Sequence, residues 1–230
     1  LRGLGQAMDN VTTQMFTTTS NYTWAVVGFF IVMGFFCLHA KFGEGIYATV
    51  RAFFGRLKGG LAIVTIGAST AMGGIVGDSM SVAATMSSVG LPQMREYGYK
   101  DKLSIGTIAA GSTLGPLIPP STTFIIYAGL TGQSVGRLFV AGIIPGLILA
   151  ILFVATIRLV CRFDPAAGPP GPRSTRREKL SSLKFGGPIV ALFLLVIGGI
   201  YGGIFTATEG GSIGCIGALI IGLVLKRWNR

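Results

Sequence analysis

Residues 59–93 read GGLAIVTIGASTAMGGIVGDSMSVAATMSSVGLPQ. They include no Lys or Arg, and Asp78, near the middle, is their only ionisable side chain. As one straight helix these 35 residues would be about 52 Å long, well beyond the roughly 30 Å hydrocarbon core of a bilayer. Each half, 61–76 or 79–94, would be about 24 Å long, which is too short to cross alone.

Basic residues flank this stretch on both sides. They are Arg51, Arg56 and Lys58 before it, and Arg95, Lys100 and Lys102 after it. Because loops rich in Lys and Arg lie on the cytoplasmic side, both ends are predicted to be inside. We therefore predict a re-entrant helical hairpin that turns at Gly77, Asp78 and Ser79.

The composition is that of a polytopic, all-α membrane protein. The chain has 230 residues, of which 50% are hydrophobic and 12% charged, and its mean hydropathy is +0.68. It starts at Leu1 rather than Met and shows no cleavable signal peptide, so we expect a piece of a longer protein. The net charge of +11 lies in loops between apolar segments, which argues against nucleic acid as a partner. The three cysteines are isolated, without metal or disulfide spacing.

The remaining segments complete a three-part organisation. Residues 1–58 hold a polar stretch (1–21, a loop or the tail of a helix), a spanning helix (22–40) and an amphipathic interfacial helix (41–59). Residues 59–135 hold the hairpin and a second apolar segment. Residues 136–230 hold a span (138–160), a basic loop (162–184) and two further apolar segments (185–205 and 212–225). This topology places 17 of the 19 Lys and Arg residues inside and leaves only Arg2 and Arg137 outside.

The second apolar segment, 103–130, is interrupted by STLGPLIPPS at residues 112–121. Proline removes a backbone donor and clashes with the preceding helical turn, so three prolines predict two half-helices around an unwound stretch. A simple kink is the alternative. Non-helical backbone at membrane depth is tolerated only where it is buried in protein or lines a cavity.

The hairpin tip and this break offer the same chemistry. Each supplies free backbone groups and small hydroxyls, at Ser79 in the tip and at Ser112 and Thr113 in the break. Carbonyl and hydroxyl oxygens suit a hard cation such as Na⁺, and helix N-termini suit a carboxylate. Discontinuous helices of this kind are typical of secondary transporters. No catalytic motif is visible, so an enzyme is not expected.

Several of these residues have a second interpretation. Ser and Thr in apolar helices often hydrogen-bond to their own backbone. Asp78 either faces a cavity or is an interfacial acid of a shallower hairpin. Glu209 is either a functional carboxylate or part of the N-terminal cap of the last helix, with Thr206 or Thr208 as the cap residue.

Motifs in order along the chain resemble one known family. They are GIVGDS (74–79), AATM (83–86), LPQMREYGY (91–99), AAGSTLGPLIPPS (109–121), LFVAGIIPG (138–146) and GIFTATE (203–209). Together they resemble the large membrane subunit of tripartite ATP-independent periplasmic (TRAP) transporters over roughly residues 40–225. Three positions depart from the family pattern: a small residue is usual at Asp78, an Asp or Thr is frequent at Val82, and a proline is usual at Ala207.

The resemblance implies one half of an inverted-repeat, elevator-type transporter in the bacterial or archaeal inner membrane. It implies a sodium-driven importer of organic acids such as C4-dicarboxylates, with Na⁺ as coupling ion and no cofactor. The implied partners are a small membrane subunit and a periplasmic substrate-binding protein. The implied substrate and ion site comprises Gly77, Asp78, Ser79, Ser112, Thr113, Gly115, Pro119 and Pro120. Within it, the implied Na⁺ ligands are Ser79, Ser112 and Thr113.

Two alternatives to this function remain open. One is a sodium/dicarboxylate or citrate-type carrier that works without a binding protein. The other is a membrane scaffold subunit that does not transport.

Overall fold

The structure, a computed structural model, describes residues 2–19, 23–172 and 174–225. Over these ranges the chain is all-helical and contains no β-strand. The helices are α1 (Arg2–Thr19), α2 (Thr23–His39), α3 (Phe42–Phe54), α4 (Gly60–Val76), α5 (Ser79–Glu96), α6 (Asp101–Ser112), α7 (Thr122–Thr131), α8 (Val135–Phe163), α9 (Arg176–Tyr201) and α10 (Ala207–Val224). The predicted all-α class is confirmed.

Three helices, α8, α9 and α10, are long and apolar enough to cross a membrane. A fourth crossing is possible if α2 and α3, which meet at 68°, form one broken span. This gives three or four candidate spans in the described ranges, as a multi-pass membrane protein requires. The start of the predicted span at Tyr22 lies outside the described residues, as do four predicted inside charges, Arg173, Lys226, Arg227 and Arg230.

The N-terminal polar stretch is helical, so of its two interpretations, a loop or the tail of a helix, the structure favours the second. Residues 2–19 form α1, and the Thr-rich composition does not prevent this because threonine hydroxyls are satisfied within the helix. Thr12 Oγ1 donates to the carbonyl of Met8 at 2.8 Å, and Thr17 Oγ1 donates to that of Thr13 at 2.8 Å.

The basic segment 162–184 is also more helical than predicted. Helix α8 continues to Phe163, and α9 begins at Arg176, so only about the first half of the segment is a loop. A capping box starts α9: Thr175 Oγ1 accepts from the Glu178 N–H, and the Glu178 carboxylate accepts from the Thr175 N–H. The capping box stabilises the charged first turn of α9, so the helix begins before its apolar part.

The predicted hairpin is present. Helices α4 and α5 contain 17 and 18 residues, pack against each other, and are separated only by Gly77 and Asp78. The predicted break is present too, because α6 ends at Ser112 and α7 starts at Thr122. The intervening residues form turns that include a cis peptide bond between Pro119 and Pro120.

Helix α4 is the centre of the packing. It contacts α2, α3, α5, α6, α8 and α9, and most of its residues are buried. Helix α3, predicted to be interfacial, packs between α4 and α9 with Phe42, Ile46 and Tyr47 buried, while Phe53 and Phe54 near its end are exposed. The first arm of the hairpin is therefore held inside the helical bundle, and the tip at its end is positioned by protein on several sides.

The opposite end of the hairpin is joined to the loop that follows α8. The Gly59 N–H donates to the carbonyl of Gly168 at 2.8 Å, and Lys100 Nζ bonds Asp164 Oδ2 at 2.6 Å. The hydrogen bond from Lys100 lowers the pKa of the Asp164 carboxyl. The ion pair is therefore intact at neutral pH and is lost only as the pH falls through that lowered pKa.

Candidate functional site

The hairpin tip has a backbone geometry that requires glycine. Gly77 has φ +67°, and its N–H donates to the carbonyl of Gly73 at 2.7 Å, closing the end of α4. A Cβ atom added to Gly77 would lie 2.6 Å from the carbonyl oxygen of Pro120. The tip therefore turns sharply while its backbone lies directly against the break.

Asp78 is the N-cap of α5. Its backbone is extended, and its Oδ2 accepts from the Ser81 N–H at 2.8 Å. The carboxylate thus occupies the place at a helix N-terminus where an anionic ligand would otherwise bind. The sequence contained this signal, because an Asp preceding an apolar helical segment is a strong N-cap pattern. Our sequence interpretation, which weighed a cavity-facing acid against an interfacial one, missed it.

The tip and the break are in contact through their backbones. A Cβ added to Gly115 would lie 2.9 Å from the carbonyl oxygen of Asp78, and one added to Gly73 would lie 2.8 Å from the Cα of Gly115. Thr122 Oγ1, at the start of α7, donates to the carbonyl of Gly77 at 3.0 Å. Small residues allow this close approach between helical segments. Four predicted site residues are thus brought together, namely Gly77, Asp78, Gly115 and Pro120.

The predicted hydroxyl residues lie at the ends of the same elements. Ser112 Oγ donates to the carbonyl of Ala109 at 2.8 Å, and Thr113 Oγ1 donates to that of Ala110 at 2.7 Å. Both hydroxyls thus bond back to their own helix, yet each oxygen keeps lone pairs that can accept or bind a cation. Ser79 is half-buried in the first turn of α5, directly after the tip.

Two cavities adjoin the contact between tip and break. One is a groove of about 400 Å³ between α2, the tip and α7, where the polar groups are Asp78, Ser81 and Thr122. The other, of about 360 Å³, is apolar and includes Ile75, Ile118 and Pro119 in its lining. The predicted residue Pro119 therefore faces the apolar side. The groove suits a polar solute better because it holds the carboxylate and two hydroxyls.

The site contains residues that sequence reasoning did not select. Thr122 joins the two elements, and Ser121 Oγ holds the break by donating to the carbonyl of Pro116 at 2.6 Å. Ser69 Oγ is buried under Gly111 without a hydrogen-bond partner in the described part of the chain. Ser121 and Thr122 could have been selected from the sequence, because they directly follow the Pro-Pro pair of the break. Ser69 could not, because nothing in the sequence distinguishes it from other serines in helices.

Glu209 belongs to a helix cap. Its Oε2 accepts from the N–H of Thr206 at 2.8 Å, and its own N–H donates to Thr206 Oγ1 at 3.3 Å. This is a complete capping box at the start of α10. The capping interpretation, with Thr206 as the cap residue, is confirmed. Within the described residues, no group of three His, Cys, Asp or Glu side chains is arranged to hold a metal.

An all-helical chain with several candidate spans, whose hairpin tip packs on a broken helix, has the architecture of a membrane transport permease. Comparison with known families agrees: residues 4–230 match the family described as tripartite ATP-independent periplasmic transporter, DctM component. The chain belongs to this family, which confirms the resemblance noted in the sequence. Because it is a family of transporter permeases, the prediction that the chain is not an enzyme is confirmed as well.

Individual relatives agree with the family match. The chain is 32% identical to the C4-dicarboxylate TRAP transporter large permease protein DctM of Pseudomonas aeruginosa, covering 94% of this chain and 50% of the relative. It is 32% identical to the sialic acid TRAP transporter large permease protein SiaM of Vibrio cholerae, covering 92% and 49%. It is 32% identical to the ectoine TRAP transporter large permease protein TeaC of Halomonas elongata, covering 98% and 52%. The chain spans about half the length of these curated relatives.

Proposed function

We propose that this chain is part of the transmembrane permease of a sodium-driven importer of organic acids. The observation that carries the proposal is the backbone contact between the hairpin tip at Gly77–Asp78 and the break at Gly115–Thr122. Two interrupted helices meeting in this way bring helix ends together inside the protein. Helix ends carry the partial charges that bind ions and carboxylates without a full buried charge.

The proposed roles follow from the direction of each helix. Helices α4 and α6 end at the contact, so their C-terminal carbonyls favour a cation there. Ser79, Ser112 and Thr113 would add hydroxyl oxygens to a Na⁺ shell. Helix α7 begins at the contact and presents its N–H groups, which favour a carboxylate. The N-terminus of α5 is already capped by Asp78, so α7 is the better candidate for substrate.

The substrate class is proposed from the relatives. Their names mention C4-dicarboxylate, sialic acid and ectoine, and each of these compounds carries a carboxylate. We propose that the partners are a periplasmic binding protein that delivers the acid and a small membrane subunit, in the inner membrane of a bacterium or archaeon. An elevator movement of the hairpin and break would carry the solute, with Na⁺ entry driven in part by voltage, about 2.3 kcal/mol per charge per 100 mV.

Uptake by proteoliposomes tests the proposal. The full-length permease, its small subunit and the binding protein are reconstituted, and uptake of radiolabelled succinate, sialic acid or ectoine is followed with an inward Na⁺ gradient. We expect uptake only when Na⁺ and the binding protein are both present, and faster uptake with a negative interior. A proton gradient that replaces Na⁺ would contradict sodium coupling.

The same assay separates the two alternatives. Uptake that proceeds without the binding protein would identify a sodium/dicarboxylate or citrate-type carrier. No uptake of any of these acids by a correctly inserted, full-length complex would favour a scaffold subunit.

A further inference from the structure

A second groove lies at the opposite end of the hairpin from its tip, beside the end of α8 that the charge distribution places on the cytoplasmic side. It measures about 330 Å³ and is lined by Leu57, Lys58, Arg158, Cys161, Arg162 and Pro165. We call it the basic groove, because half of its lining residues are cations and none is an acid. The proposed transport mechanism makes no use of it.

The cations of the basic groove come from two elements. Arg158 and Arg162 are four residues apart on α8 and so lie on one face, one turn from each other. Lys58 reaches the same groove from the loop between α3 and α4. Like charges at this spacing repel each other, so an anion between them would be stabilised.

No acid in the described part of the chain neutralises these cations. Lys58, Arg158 and Arg162 are all exposed, and none makes an ion pair or side-chain hydrogen bond with another described residue. Asp164, the acid nearest to them in sequence, is bound to Lys100 at 2.6 Å. The positive charge of the groove is therefore available to a ligand.

The walls of the basic groove are held in place by hydrogen bonds. The Gly59 N–H donates to the carbonyl of Gly168 at 2.8 Å, and the Gly171 N–H donates to that of Gly55 at 3.0 Å. These bonds fix the loop after α8 against the loop that carries Lys58. Cys161, between the two arginines, is buried. A preformed groove loses less entropy when it binds than a flexible loop would.

We infer that the basic groove binds the phosphodiester headgroup of an anionic phospholipid. A guanidinium presents paired N–H donors that match two phosphate oxygens, and an ammonium adds a point charge. Basic pockets beside transmembrane helices on the cytoplasmic side bind such headgroups. The chemistry that the groove recognises is a phosphate group, which a free phosphate ion also carries.

The apolar face of α8 favours a lipid over a free phosphate ion. The side chains of Ile148, Ile151, Leu152 and Leu159 are more than half exposed, and they repeat at helical spacing toward the groove. Leu57 and Phe163, beside the cations, are exposed as well. Acyl chains attached to a headgroup in the groove would cover this stripe, whereas inorganic phosphate would leave it bare.

Native mass spectrometry of the full-length permease tests this inference. The purified protein is titrated with dioleoyl phosphatidylglycerol and, separately, with dioleoyl phosphatidylcholine. We expect preferential retention of phosphatidylglycerol, and an affinity about tenfold or more lower for the double variant Arg158→Gln/Arg162→Gln, since each cation near an anionic headgroup contributes on the order of a severalfold change in affinity. Arg158→Lys/Arg162→Lys, which keeps the charge, should retain most of the binding and shows that the fold tolerates replacement.

Arg176→Gln/Arg177→Gln is the matched control, because it removes two exposed charges from the start of α9 outside the groove. It should bind phosphatidylglycerol as the unmodified protein does. If the control lost as much affinity for phosphatidylglycerol as Arg158→Gln/Arg162→Gln, the loss would reflect the net charge of the protein and the inference would be overturned. So would unchanged binding by Arg158→Gln/Arg162→Gln, or displacement of the lipid by inorganic phosphate at the same concentration.

Discussion

At the scale of single residues, Gly77 has the strictest requirement at the hairpin tip. Replacing it with alanine puts a side chain at φ +67° and a Cβ 2.6 Å from the Pro120 carbonyl oxygen. The left-handed backbone alone costs about 1–2 kcal/mol for a non-glycine residue, and the clash adds to it. We expect Gly77→Ala to insert into the membrane but to lose most uptake, measured in proteoliposomes.

Gly98→Ala separates backbone strain from loss of the contact. Gly98 has φ +74°, but nothing lies within 4 Å of an added Cβ. Gly98→Ala should lose about as much stability as the left-handed backbone alone costs in Gly77→Ala, measured by thermal unfolding in detergent. Its uptake should stay near normal. If both variants lost uptake equally, the contact between tip and break would have no special role.

A second residue-scale prediction concerns the proposed cation ligands. Ser79→Leu and Ser112→Leu should abolish sodium-dependent uptake without affecting insertion, because each replaces a hydroxyl oxygen with a larger apolar side chain. Ser88→Leu is the control, since Ser88 Oγ also donates three residues back, to Thr85 O, but on an exposed face of α5. Normal uptake by Ser79→Leu and Ser112→Leu would show that these serines only pack.

Two roles of Asp78 can be tested separately: the N-cap of α5 and the negative charge of its carboxylate. Asn also caps helices, so Asp78→Asn should keep the bond to the Ser81 N–H, whereas Asp78→Ala should lose about 0.5–2 kcal/mol of stability. If Asp78 only caps α5, Asp78→Asn transports with an unchanged Na⁺ dependence. A raised half-saturating Na⁺ concentration in Asp78→Asn would instead show that its charge contributes to cation binding.

At the scale of elements, Thr122 connects the break to the hairpin. Thr122→Val keeps the shape of the side chain but removes the bond to Gly77 O, which is worth roughly 0.5–1.5 kcal/mol. We expect slower uptake and a loss of stability no larger than this amount, measured as initial rates and unfolding temperature. Thr131→Val, at the other end of α7, removes an exposed bond to Tyr127 O and should leave uptake unchanged.

Two elements could be predicted from the sequence, the hairpin and the break. In both, the sequence does not fit a single helix that crosses the membrane. The hairpin followed from the length of 59–93 and its two basic flanks, and the break followed from three prolines. The sequence left α1 undecided and missed the charged start of α9, because capping and hydrogen bonds from side chains to the backbone stabilise helices of unfavourable composition. The bond from Thr122 to Gly77 joins residues 45 apart, and no local pattern reveals such a contact.

At the scale of the whole molecule, hydropathy located the candidate spans but did not determine how they pack. Only 17% of the most apolar window of α8 is buried within the chain, and 33% for both α9 and α10. Such apolar faces meet lipid or other protein in the membrane. By contrast, α4 is mostly buried, although its composition is at least as apolar as that of the three spans. Burial therefore distinguishes α4, the first arm of the hairpin, from the spans more clearly than composition does.

The topology that follows from this arrangement can be measured by cysteine labelling. Arg56→Cys, Lys102→Cys and Arg137→Cys are made singly in full-length protein whose Cys37, Cys161 and Cys215 are replaced by alanine; all three new positions are exposed. Because α4 and α5 together return the chain to its starting side, a membrane-impermeant maleimide should label Arg56→Cys and Lys102→Cys only in inside-out vesicles. Arg137→Cys should react only in spheroplasts. Labelling of Arg56→Cys and Lys102→Cys from opposite sides would mean that residues 59–93 cross the membrane, and the hairpin could not be re-entrant.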